Sequence, residues 1–444
     1  MSNFVYEANT SILGPQPPNS FYVEGRYVIP GQVWVWGLGK EGILGVPTDN
    51  DGHVCFPLRV PKLNNVIHVA AGITACGAVT SEGKVYTWGK NTNNRLLQKV
   101  DLIQSPMIVN ELKSHHIISI HFSERHSCAL TKDGSLFLWG NGSGGCLGDG
   151  DSSNHITSQP LLHKFEYSVV QSDVNFNGTM VLLSDGSLLA CGSNEFSRLG
   201  LNDENKLKIF SKFERIENLP PCRYFSFGSN YTLAITIEND VYAWGFGGSG
   251  NLGINKKIKS VKIPTKVLFD IGKPILYVSA QVGEIEIQGK AKITEEGEEG
   301  PTSFACDVDG QMYGWGSPFK GKLGNCSEKV LSPKGCDELV PYKIGGLSKD
   351  KKVVTHYLEN EKIVQVLSCH IHSACLADDG KLFTFGCGSD GRLGQDGFFS
   401  KGIKRRLKFY QSKPTAIETL VREKVKVQFA ATSRFHMIAI GIQD

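Results

Sequence analysis

An aromatic residue followed by glycine recurs along the whole chain, and the spacing of this pair constrains the fold more than any other feature. The pair returns four times at intervals of 51 to 53 residues and then twice at about 70 residues. In each copy a Gly-rich turn ends eight residues after the glycine of the pair. The seven copies begin at Trp36, Trp88, Trp139, Cys191, Trp244, Trp315 and Phe385, with cysteine replacing the aromatic residue once. A chain with seven copies of one unit is expected to fold as a repeat structure.

Each copy has the pattern of a small antiparallel sheet. A short apolar run, a turn such as Asp133-Gly134 and an alternating run such as 85–88 form a hairpin signature, because Asp-Gly supplies the positive φ angles of tight turns. Two further short strands are expected around the Gly-rich turn and in segments such as 66–71 and 363–367. The 50 glycines in 444 residues agree with many turns. Since such a sheet cannot bury both faces alone, the units must stack around an axis.

The sequence therefore predicts an all-β, seven-bladed β-propeller of about 51–53-residue repeats. Residues 425–440 have the pattern of the first half of a repeat, and residues 33–45 have that of the second half. We therefore expect strands from both termini to close the ring, which removes an open sheet edge. We expect residues 1–30 to form an N-terminal segment and residues 31–444 to form one propeller, with insertions at about 282–300, 348–360 and 398–410.

The pattern Trp-Gly-x-Gly-x-x-Gly-x-Leu-Gly, with Gly-x-x-His-Ser upstream, resembles the regulator of chromosome condensation family of propellers. Residues 385–394 and 139–148 match it best, and the resemblance covers roughly residues 31–442. The resemblance implies guanine nucleotide exchange on the small GTPase Ran, in which a wedge presses on the nucleotide site. The sequence departs from that pattern, because all seven copies keep the same spacing without a wedge insertion. The family's acidic residues before the repeat histidines and its basic tail are also missing.

Composition and motifs exclude several classes of function. A net charge of +3 gives no global field for nucleic acid or an anionic membrane. No stretch has the roughly 18 uncharged apolar residues of a membrane span. The 12 cysteines include no Cys-x-x-Cys pair, so reduced thiols are expected. No catalytic, phosphate-binding or cofactor motif was found, and we expect an intracellular protein without cofactors, cytoplasmic and with the nucleus as an alternative.

Three histidines and two nearby arginines occupy the family's His-Ser position or lie beside it. They are Arg125, His126, His372, Arg434 and His436. One interpretation is structural, with each imidazole bonded to a neighbouring backbone group. The other is contact with a docked partner. A shared metal is disfavoured, because the repeats place the three histidines at different angles around the ring.

Two charged insertions are the other candidate sites. The acidic arm is defined by Glu284, Glu286, Glu295, Glu296, Glu298 and Glu299. The basic loop is defined by Lys401, Lys404, Arg405, Arg406 and Lys408, and it is flanked by phenylalanines. Loops of a rigid scaffold often bind partners, although simple solvation also explains charged loops.

These observations favour a protein-protein interaction propeller that acts as a scaffold, adaptor or regulatory subunit through loops on one face. The alternative is a guanine nucleotide exchange factor for a small GTPase of the Ran type, which speeds nucleotide release without covalent chemistry. We expect a monomer with protein partners, a small GTPase being one candidate, and nucleic acid or chromatin contact only through the basic loop. The expected structural anchors, packed between blades, are Trp36, Trp88, Trp139, Trp244, Trp315 and Phe385.

Overall fold

A computed structural model describes residues 3–48, 52–201, 208–269, 272–282, 300–325, 337–345, 358–395 and 410–443. Seven four-stranded antiparallel sheets account for 28 strands, and a separate two-stranded sheet lies in the N-terminal segment. This arrangement confirms the predicted seven-bladed propeller. Among the described helices, none has both the length and the apolar character needed to cross a membrane.

The elements follow a regular order along the chain. The N-terminal segment contains α1 (Phe4–Leu13), β1 (Phe21–Val23) and β2 (Arg26–Val28). The first two propeller strands are β3 (Gln32–Leu38) and β4 (His53–Arg59). Blade 1 contains β5 (Val66–Ala71), β6 (Ala75–Thr80), β7 (Val85–Lys90) and β8 (Leu102–Ile108). Blade 2 contains β9 (Ile117–Phe122), β10 (His126–Thr131), β11 (Leu136–Gly140) and β12 (Leu161–His163).

The remaining blades repeat this order. Blade 3 contains β13 (Val169–Asn175), β14 (Gly178–Leu183), β15 (Leu188–Ser193) and β16 (Ile209–Arg215). Blade 4 contains β17 (Cys222–Phe227), β18 (Tyr231–Thr236), β19 (Val241–Gly247) and β20 (Ile258–Lys266). Blade 5 contains β21 (Ile275–Ser279), β22 (Thr302–Asp307), β23 (Met312–Gly316) and β24 (Glu338–Lys343). Blade 6 contains β25 (Ile363–Ser368), β26 (His372–Ala377), β27 (Leu382–Cys387) and β28 (Tyr410–Ala416), and α2 (Glu418–Arg422) follows it.

Blade 7 joins the two ends of the chain. Its sheet has the order β29 (Val425–Thr432), β30 (His436–Gln443), β3 and β4. In the register of this sheet, Gly37 lies opposite His436 and Val33 lies opposite Ile440. The expected closure by strands from both termini is therefore confirmed.

The meander inside each blade defines two faces of the ring. The first strand of every blade faces the central channel. Because neighbouring strands are antiparallel, the turns between first and second strands and the loops between third and fourth strands emerge together. We call this side the loop face. The opposite side, with the tight turns between second and third strands and the connections between blades, is the hairpin face.

The tryptophans of the repeat pairs lie between blades. Trp36, Trp88, Trp139, Trp244 and Trp315 have no solvent exposure, and neither has Phe385. Each indole N–H donates a hydrogen bond to a main-chain carbonyl in the Gly-rich turn of the preceding blade. The acceptors, in that order, are Arg392 (3.0 Å), Ile43 (2.9 Å), Arg95 (2.8 Å), Arg198 (3.0 Å) and Asn251 (2.7 Å). The anchors therefore join adjacent blades by both apolar packing and a directed hydrogen bond.

The glycine of the aromatic-Gly pair and the glycine that ends the Gly-rich turn are needed for different structural reasons. Gly37 has a φ of 112°, and a Cβ there would lie 2.4 Å from the Phe435 carbonyl oxygen of the neighbouring strand. Gly394 has a φ of 66°, and a Cβ there would lie 2.9 Å from the indole nitrogen of Trp36. The first glycine therefore permits close strand approach, and the second permits the tryptophan of the next blade to pack.

Buried cations join the blades at the loop face. In four of the seven copies the residue before the Leu-Gly turn is a lysine or arginine whose side chain donates to main-chain carbonyls of the next blade's first turn. The pairs are Arg95 with Ser123 and Glu124, Arg198 with Ser229, Lys322 with His370, and Arg392 with Arg434. These contacts hold the first turns around the channel mouth in fixed positions.

Candidate functional site: the central channel and the loop face

The three repeat histidines connect blades and have no solvent exposure. Nε2 of His126 lies 2.8 Å from the Thr179 hydroxyl, and Nε2 of His372 lies 2.8 Å from the Thr432 hydroxyl. Nε2 of His436 lies 3.1 Å from Sγ of Cys76. In each case the partner belongs to the next blade. The interpretation of backbone partners therefore needs correction, because the partners of Nε2 are side chains.

Burial also decides what these histidines can do. It lowers the pKa of His126 and of His436 to about 3, and that of His372 well below its usual value, so all three are neutral near pH 7. No imidazole surface is left for a docked partner, contrary to the docking hypothesis. Arg125 and Arg434 differ, because they are half-buried in first turns on the loop face, with their guanidinium groups over Phe176 (4.4 Å) and Phe435 (5.3 Å).

The central channel is a cup that opens on the loop face. Residues of the first strands of all seven blades line a cavity of about 230 Å³. First turns such as those at Ser123 and Arg434 surround its mouth. Val23, Glu24 and Arg26 also line it, so the β1–β2 hairpin forms the floor. The N-terminal segment therefore closes the channel of the propeller from the hairpin face.

Glu24 lies at the tip of this hairpin against polar side chains of blades 1 and 2. Nε2 of His121 lies 3.1 Å from both carboxylate oxygens, and the Ser119 hydroxyl donates to one of them at 2.7 Å. Nε2 of His68 lies 3.7 Å from the carboxylate. On its other side, Nδ1 of His121 lies 3.6 Å from the carboxylate of Asp173 in blade 3. The hairpin tip is thus tied to three blades through one charged network.

The charges in this network follow from burial and from the neighbours. Burial alone would lower the pKa of His121, but the Glu24 carboxylate outweighs it and raises that pKa to about 9. Burial alone would raise the pKa of Glu24, but the charge of His121 outweighs it and lowers that pKa to about 2. Burial lowers the pKa of His68 to about 3 and raises that of Asp173 to about 6. Near neutral pH, Glu24 and His121 therefore form an ion pair beside a neutral His68.

The same residues raise the question of a metal site. One ligand atom each from Glu24, His68 and His121 lies within 4.8 Å of the others. However, the Ile120 backbone N–H donates to Nδ1 of His68 at 3.4 Å, which favours the proton on Nε2, so a metal would have to displace a proton from this imidazole. His121 is protonated as well. The donor set fits a hydrogen-bonded ion pair better than a metal centre.

Arg26 lies against aromatic side chains on the other side of the channel. Its guanidinium carbon is 4.5 Å from the ring centre of Tyr277 and 4.9 Å from that of Phe429. The Tyr277 hydroxyl also donates to the Gly25 carbonyl at 2.7 Å. Cation–π contacts between two rings stabilise a desolvated guanidinium without an anionic partner.

The loop face carries the strand ends that flank both charged insertions. The acidic arm and the basic loop lie outside the described residues. The arm follows β21 and precedes β22 in blade 5, and the basic loop joins β27 to β28 in the adjacent blade 6. Both pairs of flanking strand ends therefore lie on the loop face. The insertion predicted at 348–360 lies mostly outside the described residues, and the strand ends that flank it, those of β24 and β25, lie on the hairpin face.

Lys322 fixes the base of the acidic arm. Its ammonium group is fully buried and donates to the Gln281 side chain at 2.8 Å and to the Gly300 carbonyl at 2.6 Å, on either side of the arm. It also donates to the His370 carbonyl of blade 6 at 2.9 Å. The described residues on either side of the arm, Gln281 and Gly300, therefore meet at Lys322 beside the channel mouth.

The closed ring, the buried aromatic-Gly anchors and the Gly-rich turns define a seven-bladed repeat propeller with a blind central channel. The chain belongs to the RCC1-like domain family, whose model matches residues 27–284. The model of the regulator of chromosome condensation (RCC1) repeat also matches residues 379–440. The resemblance seen in the repeats is thus confirmed.

Several known proteins are similar to this chain. The Ultraviolet-B receptor UVR8 of Arabidopsis thaliana is 26% identical over 249 residues, which cover 56% of each chain. The mitochondrial RCC1 domain-containing protein RUG3 of the same plant is 27% identical over 78% of this chain and 73% of its own length. Guanine nucleotide exchange factor SRM1 of Saccharomyces cerevisiae is 25% identical over 61% of this chain and 60% of its own. The matches to UVR8 and SRM1 thus span only a little more than half of those proteins.

Solved structures show the same fold. The crystal structure of Prp20p from Saccharomyces cerevisiae superposes with a TM-score of 0.76 at 19% identity and covers 100% of this chain and 96% of that one. Human WBSCR16 superposes with a TM-score of 0.73 at 18% identity and covers 93% of this chain and 99% of that one. At these identities the likeness concerns the fold alone.

Proposed function

We propose that this chain is an adaptor or regulatory propeller that binds a protein partner on its loop face, through the acidic arm and the basic loop. The observation that supports this proposal is that the strand ends flanking the two insertions lie on the same face of the ring, in adjacent blades. Insertions of opposite charge that leave from adjacent blades suit a partner surface with complementary patches, and such complementarity determines orientation and association rate. Arg125 and Arg434 on the rim of the channel extend the surface.

The attachment of the loop-face turns to neighbouring blades supports the same proposal. Lys322 and the buried arginines attach the turns of the loop face to the next blades. Binding residues on a rigid frame lose less conformational entropy on association than residues on a mobile one. The propeller thus provides a preorganised platform from which the two insertions extend.

The test compares the two faces with matched charge changes. Affinity capture with the full chain identifies a partner, whose binding to purified variants is then measured. Glu295→Lys with Glu296→Lys in the acidic arm should weaken binding at least tenfold. Glu82→Lys with Glu238→Lys makes the same charge change at exposed turns of the hairpin face and should leave binding unchanged. Equal effects of the two variants would contradict the proposal.

Guanine nucleotide exchange is the second candidate, and the relatives favour it. SRM1 is named a guanine nucleotide exchange factor, and Prp20p was solved in a study of its binding to Gsp1p and histones. The discriminating experiment measures release of a fluorescent GDP analogue from a panel of small GTPases, with and without the full chain. Acceleration of one GTPase by a hundredfold or more would establish exchange. Binding without acceleration would favour the adaptor.

A further inference from the structure

The β1–β2 hairpin is attached to the propeller as a ligand would be. Its two strands pair only with each other and join none of the seven blades. Within the described part of residues 3–30, one backbone–backbone hydrogen bond reaches the propeller, from the Val5 N–H to the Ser184 carbonyl at 3.4 Å. The other polar contacts use side chains, for example those of Asn9 with Arg223 and of Tyr277 with Gly25.

The channel wall supplies a built pocket for the hairpin tip. The first strand of every blade has a β-bulge at the same point, and in four blades the residue that follows it contacts the hairpin: His68, Ser119, Tyr277 and Phe429. A bulge re-aims the side chain that follows it, and here the four side chains converge on the hairpin from different blades. Two of them contact Glu24, and the other two enclose Arg26.

We propose that the channel, entered from the hairpin face, is a recognition site for a peptide turn in which a carboxylate and a guanidinium flank a glycine. Residues 21–28 of the chain occupy this site in cis. A partner protein that presents the same turn competes with them. The site lies opposite the loop face, so it is independent of the function proposed above.

Each position of the turn has a chemical requirement. The ion pair with His121 and the hydrogen bond from Ser119 require an acidic residue at position 24. Gly25 has a φ of 82°, and a Cβ there would lie 3.3 Å from the Tyr224 ring, which disfavours any side chain. The planar guanidinium of Arg26 stacks between two rings, which a lysine ammonium does less well. The pocket is therefore selective for a turn with the sequence acidic residue, glycine, arginine.

A peptide competition experiment tests the proposal. In the full chain, Glu24→Ala and Arg26→Ala together should release the hairpin from the channel and leave the site empty. A fluorescein-labelled peptide of residues 17–30 serves as the probe. Fluorescence anisotropy should show the peptide binding this variant at least tenfold more tightly than the wild-type chain. Peptides with Glu24→Ala or Arg26→Lys should bind the variant at least fivefold more weakly. Adding Tyr277→Ala to the variant should abolish binding.

A folded variant that binds no peptide, or that binds it equally well with Tyr277→Ala, would overturn the proposal. Folding of the variant is checked by its circular dichroism melt and its elution as a monodisperse species. A second measurement needs no substitution. In the wild-type chain, the amides of residues 21–28 should exchange with deuterium at least tenfold faster than those of β6 and β10, because the hairpin undocks without opening a blade. Equal protection of the hairpin and these strands would also overturn it.

Discussion

Nε2 of His121 lies 3.1 Å from both carboxylate oxygens of Glu24, so an ion pair fixes the N-terminal segment to the first strand of blade 2. The pair lies inside the channel, where solvent screening is weak. Its two members come from parts of the chain that are 97 residues apart. The ring and its floor are therefore coupled through a contact that depends on pH.

The first prediction concerns this pH dependence. His121 has a folded pKa of about 9 against an ordinary value of 6.5, so its stabilising effect is fully present below pH 6.5 and is lost as the pH rises through about 9. Replacing His121→Gln should therefore lower the free energy of unfolding by on the order of 2 kcal/mol at pH 6 and by much less at pH 9.5. Denaturant unfolding at the two pH values measures the difference.

A surface histidine provides the control for this measurement. His155 lies 3.0 Å from Asp149 in a partly exposed pair, and His155→Gln should change stability by less than about 0.5 kcal/mol at both pH values. A cost for His121→Gln that stays constant from pH 6 to 9.5 would show that packing, and not charge, holds the hairpin.

The second prediction concerns the aromatic anchors. Trp139 is fully buried, and its indole N–H donates to the Arg95 carbonyl at 2.8 Å. Trp139→Ala should cost about 3–5 kcal/mol through lost packing and the cavity left behind. Trp139→Phe keeps most of the packing but removes the indole donor, so the Arg95 carbonyl keeps the Ser127 hydroxyl (2.9 Å) as its donor, and the change should cost about 0.5–1.5 kcal/mol more than a Trp→Phe change at a site without that hydrogen bond.

Trp34 provides the matched site. It is buried, but its indole nitrogen has no hydrogen-bond partner among the described residues. Trp34→Phe should therefore cost less than Trp139→Phe, as measured by denaturant unfolding of the full chain. If the two changes cost the same, the hydrogen bonds between blades add nothing to the packing.

The spacing of the aromatic-Gly pairs was sufficient to predict the fold, because the same local pattern recurs in every blade. The aromatic-Gly pair and the Leu-Gly turn specify how each blade packs on the next, as the contact of Gly394 with Trp36 shows. The chain closure was also visible, since the half repeats at 33–45 and 425–440 complete one sheet. Because the units repeat, the pairing of strands that are distant in the sequence could be predicted from local sequence patterns.

No repeated sequence pattern indicated the site in the channel where Glu24 and Arg26 bind. Glu24 and Arg26 lie outside the repeats, and nothing local in 24–26 indicates that this turn enters the propeller. The partners His68 and His121 stand in first strands, where a bulge directs one side chain and strand alternation directs the other into the channel. Polar residues within the apolar first strands were the available clue, but such residues recur in most blades, and which of them meet Glu24 depends on ring closure and on the path of residues 3–30.

The third prediction concerns closure of the ring. Deleting residues 425–444 removes β29 and β30, which leaves β3 and β4 as a half blade and exposes the edge of β3. Free edges pair with other chains, so the truncated protein should form oligomers or aggregates and unfold without a single cooperative transition. Size-exclusion chromatography with light scattering and thermal melts measure both effects. A monomeric truncation with an unchanged melt would contradict closure.

The last prediction concerns the basic loop, which remains a hypothesis because its residues lie outside those described. Five cations within eight residues repel one another, and an acidic partner relieves that repulsion. Lys404→Glu, Arg405→Glu and Arg406→Glu together should abolish binding of the captured partner, with thermal stability changed by less than about 0.5 kcal/mol. Wild-type binding should weaken steeply between 50 and about 300 mM salt. The control is Lys84→Glu, Lys113→Glu and Lys132→Glu, at exposed lysines in two tight turns and one blade connection of the hairpin face, which makes the same charge change away from the loop face. If both triple variants bind the partner equally, the net charge of the chain and not the loop determines binding.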